Sequence, residues 1–230
     1  MQEAEKPAFA PVDGAVIRIV DRDPSFRSAL RGVFTFAGYE VLEFASVPDY
    51  LAYPTDTRSG CLVLDIHMSG PSGLDLQDIV TAQPEPLPMV FVTASATAHE
   101  AVRAFKAGAA DFFFKPVDSE VLLSVVTNAI ANAERRRSQR LNNATLRARY
   151  ERLSPRERQV LALVVKGSLN KQISMQLGAA ERTVKAHRAH LMEKLEVRSV
   201  AELVTSYGAI GFDEVGGRAT ALRPVGRTIN

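Results

Sequence analysis

The chain has one cysteine and no tryptophan among 230 residues. A single thiol closes no internal disulfide, so a crosslinked small scaffold is excluded. Cys61 sits in the apolar run CLVL and reads as a small buried hydrophobe. Long apolar stretches are also missing. Segments such as Val121–Val126 fall far short of the roughly 20 residues of a membrane span. The N-terminus, MQEAEKPAFAP, has neither the basic start nor the apolar centre of a signal peptide. These absences fit a protein of the reducing cytoplasm that makes no membrane contact. What is present is ordinary globular composition, 46% hydrophobic and 23% charged.

The net charge of +2 conceals a division. Residues 1–133 carry 9 Lys and Arg against 17 Asp and Glu, and residues 134–230 carry 19 against 9. An acidic half joined to a basic half is the pattern of a module that meets nucleic acid beside one that does not. A solvated basic face or tail gives the same count.

The acidic half alternates apolar runs with helix-spaced segments. The runs are Val16–Val20, Tyr39–Phe44, Cys61–Leu64, Pro88–Val92 and Asp111–Phe114. Between them, Phe26, Leu30, Val33 and Phe34 recur at helical spacing, as do residues in 46–53, 74–81 and 98–107. Five strands alternating with helices predict a parallel sheet covered on both faces. Ligands meet such sheets beyond the carboxyl ends of the strands. There the chain places Asp21-Arg22-Asp23, Asp65, Thr93 and Lys115-Pro116. For any one of these, a polar residue meeting water is the simpler explanation. For the set in this order, a site is.

The ordered motifs IVDRDP, LVLDIHMSGPSG, FVTAS, AVRAFKAGAADF and FKP resemble the receiver domain of two-component response regulators over residues 14–133. The resemblance implies an α/β doubly wound sheet of order 2-1-3-4-5. It implies that Asp65 accepts a phosphoryl group and that Lys115 pairs with it. It gives Thr93 a hydroxyl contact to that group and gives Phe112 the aromatic position that follows Thr93; plain core packing is the other reading of Phe112. It also implies Mg²⁺, which offsets the repulsion between a phosphoryl group and a carboxylate.

The chain departs from the family pattern at one position. Two adjacent acids are usual after the first strand, and here Asp21 is followed by Arg22. Asp23 is acidic but one residue too far along. A cation at that point weakens any metal site, which leaves Asp21, Asp65 and His67 as the remaining ligand set. His67 would offer mainly its backbone carbonyl. Three readings stay open: weak phosphorylation, a pseudo-receiver locked by an Arg22–Asp65 pair, or a receiver rewired to a protein partner. In a fourth, plainer reading Arg22 points to solvent.

No Gly or Pro occurs between Val117 and Leu153. A last receiver helix over 117–133 can therefore continue through a helical linker, 134–150. Leu141, Ala144, Thr145 and Ala148 form only a short apolar stripe, so a coiled coil is not established. Ser154, Pro155 and Glu157 then spell a helix start. A short helix capped by Asn170, a tight turn at Gly178, and a longer helix over 181–195 make a helix-turn-helix.

Residues 153–204, LSPRERQVLALVVKGSLNKQISMQLGAAERTVKAHRAHLMEKLEVRSVAELV, resemble the LuxR-type helix-turn-helix. With the receiver, the chain resembles response regulators of the NarL/FixJ type. An all-α DNA-binding domain is expected over 151–211. The resemblance implies double-stranded DNA as partner, with helix 181–195 in the major groove. Lys185, Ala186 and Ala189 would face base edges, with Lys185 making most of the hydrogen-bonded readout. Thr183, His187 and Arg188 would meet phosphates or the groove edge, and Lys171 and Asn170 would hold phosphate at a helix start. Solvation is the plain alternative for each cation. A face with Val200, Leu203, Val204 and Tyr207 would form a homodimer, and a sensor histidine kinase or other signalling protein would supply the input. Residues 212–230 read as a disordered tail, with Arg218, Arg223 and Arg227 adding nonspecific affinity for DNA. The whole reads as a transcription regulator and not as a turnover enzyme. An interaction module built on a pseudo-receiver, and a phosphatase using Asp65, are the other classes considered.

Overall fold

The computed structural model describes residues 12–208. The expected tail, its three arginines and the end of the expected DNA-binding domain lie outside the described residues. The chain divides into two compact units that part between Ser138 and Gln139.

The first unit alternates β1 (Val16–Val20), α1 (Pro24–Phe36), β2 (Glu40–Phe44), α2 (Val47–Ala52), β3 (Gly60–Leu64), α3 (Gly73–Thr81), β4 (Met89–Thr93), α4 (Ala98–Lys106) and β5 (Asp111–Phe114). The sheet order is β2-β1-β3-β4-β5 and every pairing is parallel. This is the doubly wound arrangement that the alternation of runs predicts. Strands β1, β3 and β4 are buried along their whole length, which is why they read as continuous apolar runs. Local grammar sets the helix starts. Asp23 caps α1 ahead of Pro24, and Ser72 and Thr97 form capping boxes with Asp75 and Glu100. One face of the sheet packs Ile17, Ile19, Val63 and Val90 against Leu30 and Phe34 of α1. Helix α5 (Ser119–Glu151) adds Leu122, Val126 and Ile130 to that core. The other face packs Leu62, Leu64 and Phe91 against Leu76 and Val80 of α3.

One residue breaks the apolar pattern of β1. Arg18 is buried in the middle of the strand. Its Nη2 lies 2.7 Å from Asp56 Oδ2, and its guanidinium donates to the carbonyls of Val16 and Arg58 at 3.2 and 3.3 Å. Arg58 also binds Asp56, and chiefly its hydrogen bonds hold the Asp56 carboxyl down at about 2. The loop between α2 and β3 is thus tied to the sheet through one carboxylate.

The second unit packs the last turns of α5 with α6 (Pro155–Val165), α7 (Asn170–Leu177), α8 (Glu181–Leu195) and α9 (Val200–Tyr207). Its core joins Leu146 and Leu153 to Val160, Leu161, Ile173, Val184, Leu191, Leu195, Leu203 and Tyr207. Residues 139–151 of α5 therefore enter a core at Leu146. Gly178 ends α7 in the left-handed region, at φ 60°, where a side chain would be strained. Asn170 is not the cap of α7. Leu169 holds that position and Asn170 is the first helical residue, which releases its side chain for another partner.

Removing the Asp56 carboxylate should leave Arg18 buried beside backbone carbonyls alone. Asp56→Ala is expected to destabilise the first unit by about 3–5 kcal/mol in urea melts, whereas Arg18→Met should cost clearly less.

Candidate functional site

The backbone ladder continues one residue past the strands and so positions the first site. Asp21 N–H donates to Phe44 O at 3.1 Å, Asp65 N–H to Val20 O at 3.0 Å, and Lys115 N–H to Thr93 O at 2.8 Å. Asp21, Asp65, Thr93 and Lys115 are thereby fixed at the carboxyl edge of neighbouring strands. Asp21, Asp65 and Thr93 are buried, and Lys115 is partly so. Lys115 Nζ reaches Asp21 Oδ2 at 2.5 Å and Asp65 Oδ2 at 3.5 Å. It also lies 4.0 Å above the Phe26 ring, which confines the ammonium from one side.

The remaining oxygens have local roles. Asp21 Oδ1 accepts from Asp23 N–H at 2.8 Å and Asp65 Oδ1 from His67 N–H at 3.2 Å. Burial raises the Asp21 carboxyl above its ordinary value, against the opposing pull of Lys115. Thr93 Oγ1 donates to Ser95 O at 2.9 Å, a local bond that an incoming oxyanion could replace. Gly73 completes the cradle. A Cβ there would lie 2.2 Å from the Asp65 carbonyl oxygen, so only glycine lets α3 begin against this loop.

Other candidates fall apart from this cluster. Arg22 is exposed and has no hydrogen bond or ion pair among the described residues. An Arg22–Asp65 pair is therefore not what occupies the site; Lys115 does that. The His67 imidazole lies 3.9 Å from Glu100. Among the described residues, no group of three or more His, Cys, Asp or Glu is arranged to hold a metal ion. Phe112 is half-buried and stacks on Phe91 with ring centroids 6.1 Å apart, beside Phe105 and Phe114.

The second site is the outer face of α8. Val184, Leu191 and Leu195 turn inward, so at 100° per residue Lys185, Ala186 and Ala189 face outward, and all three are exposed. Arg182 shares that face. Helical periodicity puts this position on the outward face, though it is not among the contact positions that the resemblance implies. Thr183 and Lys171 are exposed, and His187 is half-buried. Arg188 is half-buried, and its Nη1 donates to Asn170 Oδ1 at 2.6 Å. This bond braces α7 against α8.

A second brace fixes the helix from behind. Buried Glu157 of α6 accepts from Ser154 N–H at 2.7 Å and from Lys194 Nζ of α8 at 3.0 and 2.8 Å. Its burial opposes the charged form, but the bonds from Lys194 and Ser154 outweigh that and hold the carboxyl below its ordinary value. On α9, Leu203 and Tyr207 are buried in this unit's own core, while Val200 and Val204 are exposed. The outer surface of α9 is narrower than the four-residue stripe read from sequence.

Comparison with known proteins identifies both units. Residues 17–127 match the family model "Response regulator receiver domain", and residues 151–207 match "Bacterial regulatory proteins, luxR family". Nodulation protein W of Bradyrhizobium diazoefficiens is 38% identical, over 86% of this chain and 87% of that protein. The transcriptional regulatory protein FixJ of Rhizobium meliloti is 35% identical, over 85% and 96%. Among solved structures, the response regulator StyR aligns at 40% identity and TM-score 0.73, covering 85% of this chain and 98% of that one. Full-length FixJ from B. japonicum aligns at 33% identity and TM-score 0.55, covering 84% and 96%. A receiver followed by a LuxR-type helix-turn-helix defines a DNA-binding transcription regulator of a two-component system, not a turnover enzyme. The chain belongs to the NarL/FixJ-type response regulators. No helix among the described residues is long and apolar enough to cross a membrane.

Glu157→Gln should destabilise the second unit at neutral pH by roughly 1.5–3 kcal/mol, the worth of a hydrogen bond to a charged group. The depressed carboxyl stabilises the fold above its unfolded value, and that contribution fades as pH falls through the folded one. Parent and variant urea midpoints are therefore expected to converge in acid. A gap that stays constant with pH would mean that the ion pair is not its source.

Proposed function

We propose that the protein is a phosphorylation-responsive transcription regulator of the cytoplasm, with Asp65 as phosphoryl acceptor and α8 as the helix that reads double-stranded DNA. The observation that carries the reading is Lys115 Nζ standing between Asp21 and Asp65 at the sheet edge. An Asp65 oxygen attacks the phosphorus of a phosphohistidine on a sensor kinase. The new O–P bond forms as the P–N bond breaks, and the imidazole leaves with the bonding pair and takes up a proton. Lys115 then pairs with a phosphoryl oxygen, and Thr93 turns its hydroxyl from Ser95 O toward the same group. Phe112 lies on the strand after Thr93 and would repack with that turn.

Mg²⁺ fits this edge in a reduced form, with the carboxylates of Asp21 and Asp65 as its side-chain ligands. Bound there, it would neutralise charge between the carboxylate and the incoming phosphoryl group. Arg22 stands where a second acid is usual, so the edge lacks that ligand and holds the ion less tightly. DNA contacts fall to Lys185, Ala186 and Ala189 at base edges, and to Thr183, His187 and Lys171 at phosphates. Arg188 and Asn170 act mainly by holding α7 and α8 together. The active form is a homodimer on paired half-sites.

A second reading has one observation in its favour, the cation at position 22. In it the receiver is regulated by a protein partner without phosphate.

Incubation with a small phosphodonor and Mg²⁺ should label the parent slowly and leave Asp65→Asn unlabelled. Arg22→Asp is expected to raise the labelling rate and to lower the Mg²⁺ concentration required. An unlabelled parent, together with an Arg22→Asp variant that does no better, would decide for the partner-regulated reading.

A further inference from the structure

Helix α8 carries four Lys and Arg residues, and they are not equivalent. Lys194 is bound to buried Glu157. Arg188 donates to Asn170. Lys185 lies 3.6 Å from Glu181, one turn earlier on its own helix. Arg182 is exposed, and among the described residues it has no hydrogen bond or ion pair. It is also the second residue of the helix, in the turn that enters a groove first.

Its angular position is equally distinct. Taking 100° per residue from Arg182, Ala189 lies about 20° to one side, Ala186 about 40° to the other, and Lys185 about 60° away. Val184, Leu191 and Leu195, the buried residues, lie about 180–220° round the helix. Arg182 therefore occupies the centre of the outward face, while Thr183 is rotated about 100° toward the rim. The two alanines nearest it have no bulk to hold the helix away from DNA. A long side chain at the centre of such a face reaches the groove floor before the sugar-phosphate walls.

We propose that Arg182 reads a guanine in each half-site through paired hydrogen bonds to O6 and N7. The proposal rests on α8 being the DNA-reading helix. A guanidinium presents two parallel N–H donors matched to those acceptors, which an ammonium does not. The free state already favours this use, since no protein carboxylate has to be released. Lys185 must leave Glu181 to reach DNA, and Arg188 would have to abandon the brace between α7 and α8. Arg182 is thus the principal specificity residue, and the Arg188 guanidinium is a positioning group.

The test uses the full chain and a random double-stranded DNA library. The parent should select a motif containing a guanine in each half-site. Arg182→Ala should lose the preference at that base pair alone and bind the selected site about 10- to 100-fold more weakly, with little change on unrelated DNA. Arg182→Lys keeps the charge and separates the alternatives. It should lose the guanine preference while the salt dependence of binding stays near the parent's. If Arg182→Lys instead selects the parent motif with parent affinity, or Arg182→Ala weakens all sequences equally, Arg182 contacts phosphate and the proposal is overturned. A parent that selects no motif refutes the DNA-reading role of α8, and this inference with it. Unchanged circular dichroism and melting of both variants are expected, because the side chain is exposed and unbonded.

Discussion

In the receiver unit, two buried carboxylates face the same sheet edge, and a single ammonium makes that arrangement tenable. Asp21 and Asp65 are brought side by side by backbone hydrogen bonds that continue the ladder beyond β1 and β3. Without a cation between them, one would have to take up a proton or turn to solvent. Lys115 directly follows β5, close to a hundred residues away from Asp21 in the chain, and is set at its own height by a bond to Thr93 O. The charge balance of the site is therefore a property of the five-stranded order.

The helical unit solves a similar problem with one buried carboxylate. Glu157 caps its own helix and binds Lys194 on α8, so the start of α6 and the placement of α8 share a residue. The Arg188–Asn170 bond joins the same helix to α7. Together the two braces hold α8 from behind and from the side, and its outward face carries two alanines, Lys185 beside Glu181, and the unbonded Arg182. In the receiver unit Arg18 and Asp56 use the same device, a charge inside the fold whose partner fixes a loop.

The fold was largely legible before the structure, for a physical reason. Strands buried on both faces have to be continuous apolar runs, and capped helices have to begin with residues such as Ser72, Thr97 and Ser154. Asp65, Thr93 and Lys115 could be picked out because parallel sheets gather their ligands beyond strand ends. Pairings were less legible. The sequence placed Asn170 as a cap, while the fold makes it the first residue of α7 and joins its side chain to Arg188. It offered Leu203 and Tyr207 as an outer surface, and the core took both. Arg22 was a candidate partner for Asp65, yet it lies in solvent and Lys115 is the cation beside that carboxylate.

Sequence alone determined the two modules, their order, the strand succession and the residues at the strand ends, because these follow from periodicity, capping and local turns. The three-dimensional fold alone decided which charge meets which. Arg18 finds Asp56, Lys194 finds Glu157, Arg188 finds Asn170, and Arg182 finds none. Such choices depend on distances between residues remote in the chain, and on which side of a helix the core has already claimed. A linear pattern lists the available charges, and packing in three dimensions assigns their partners.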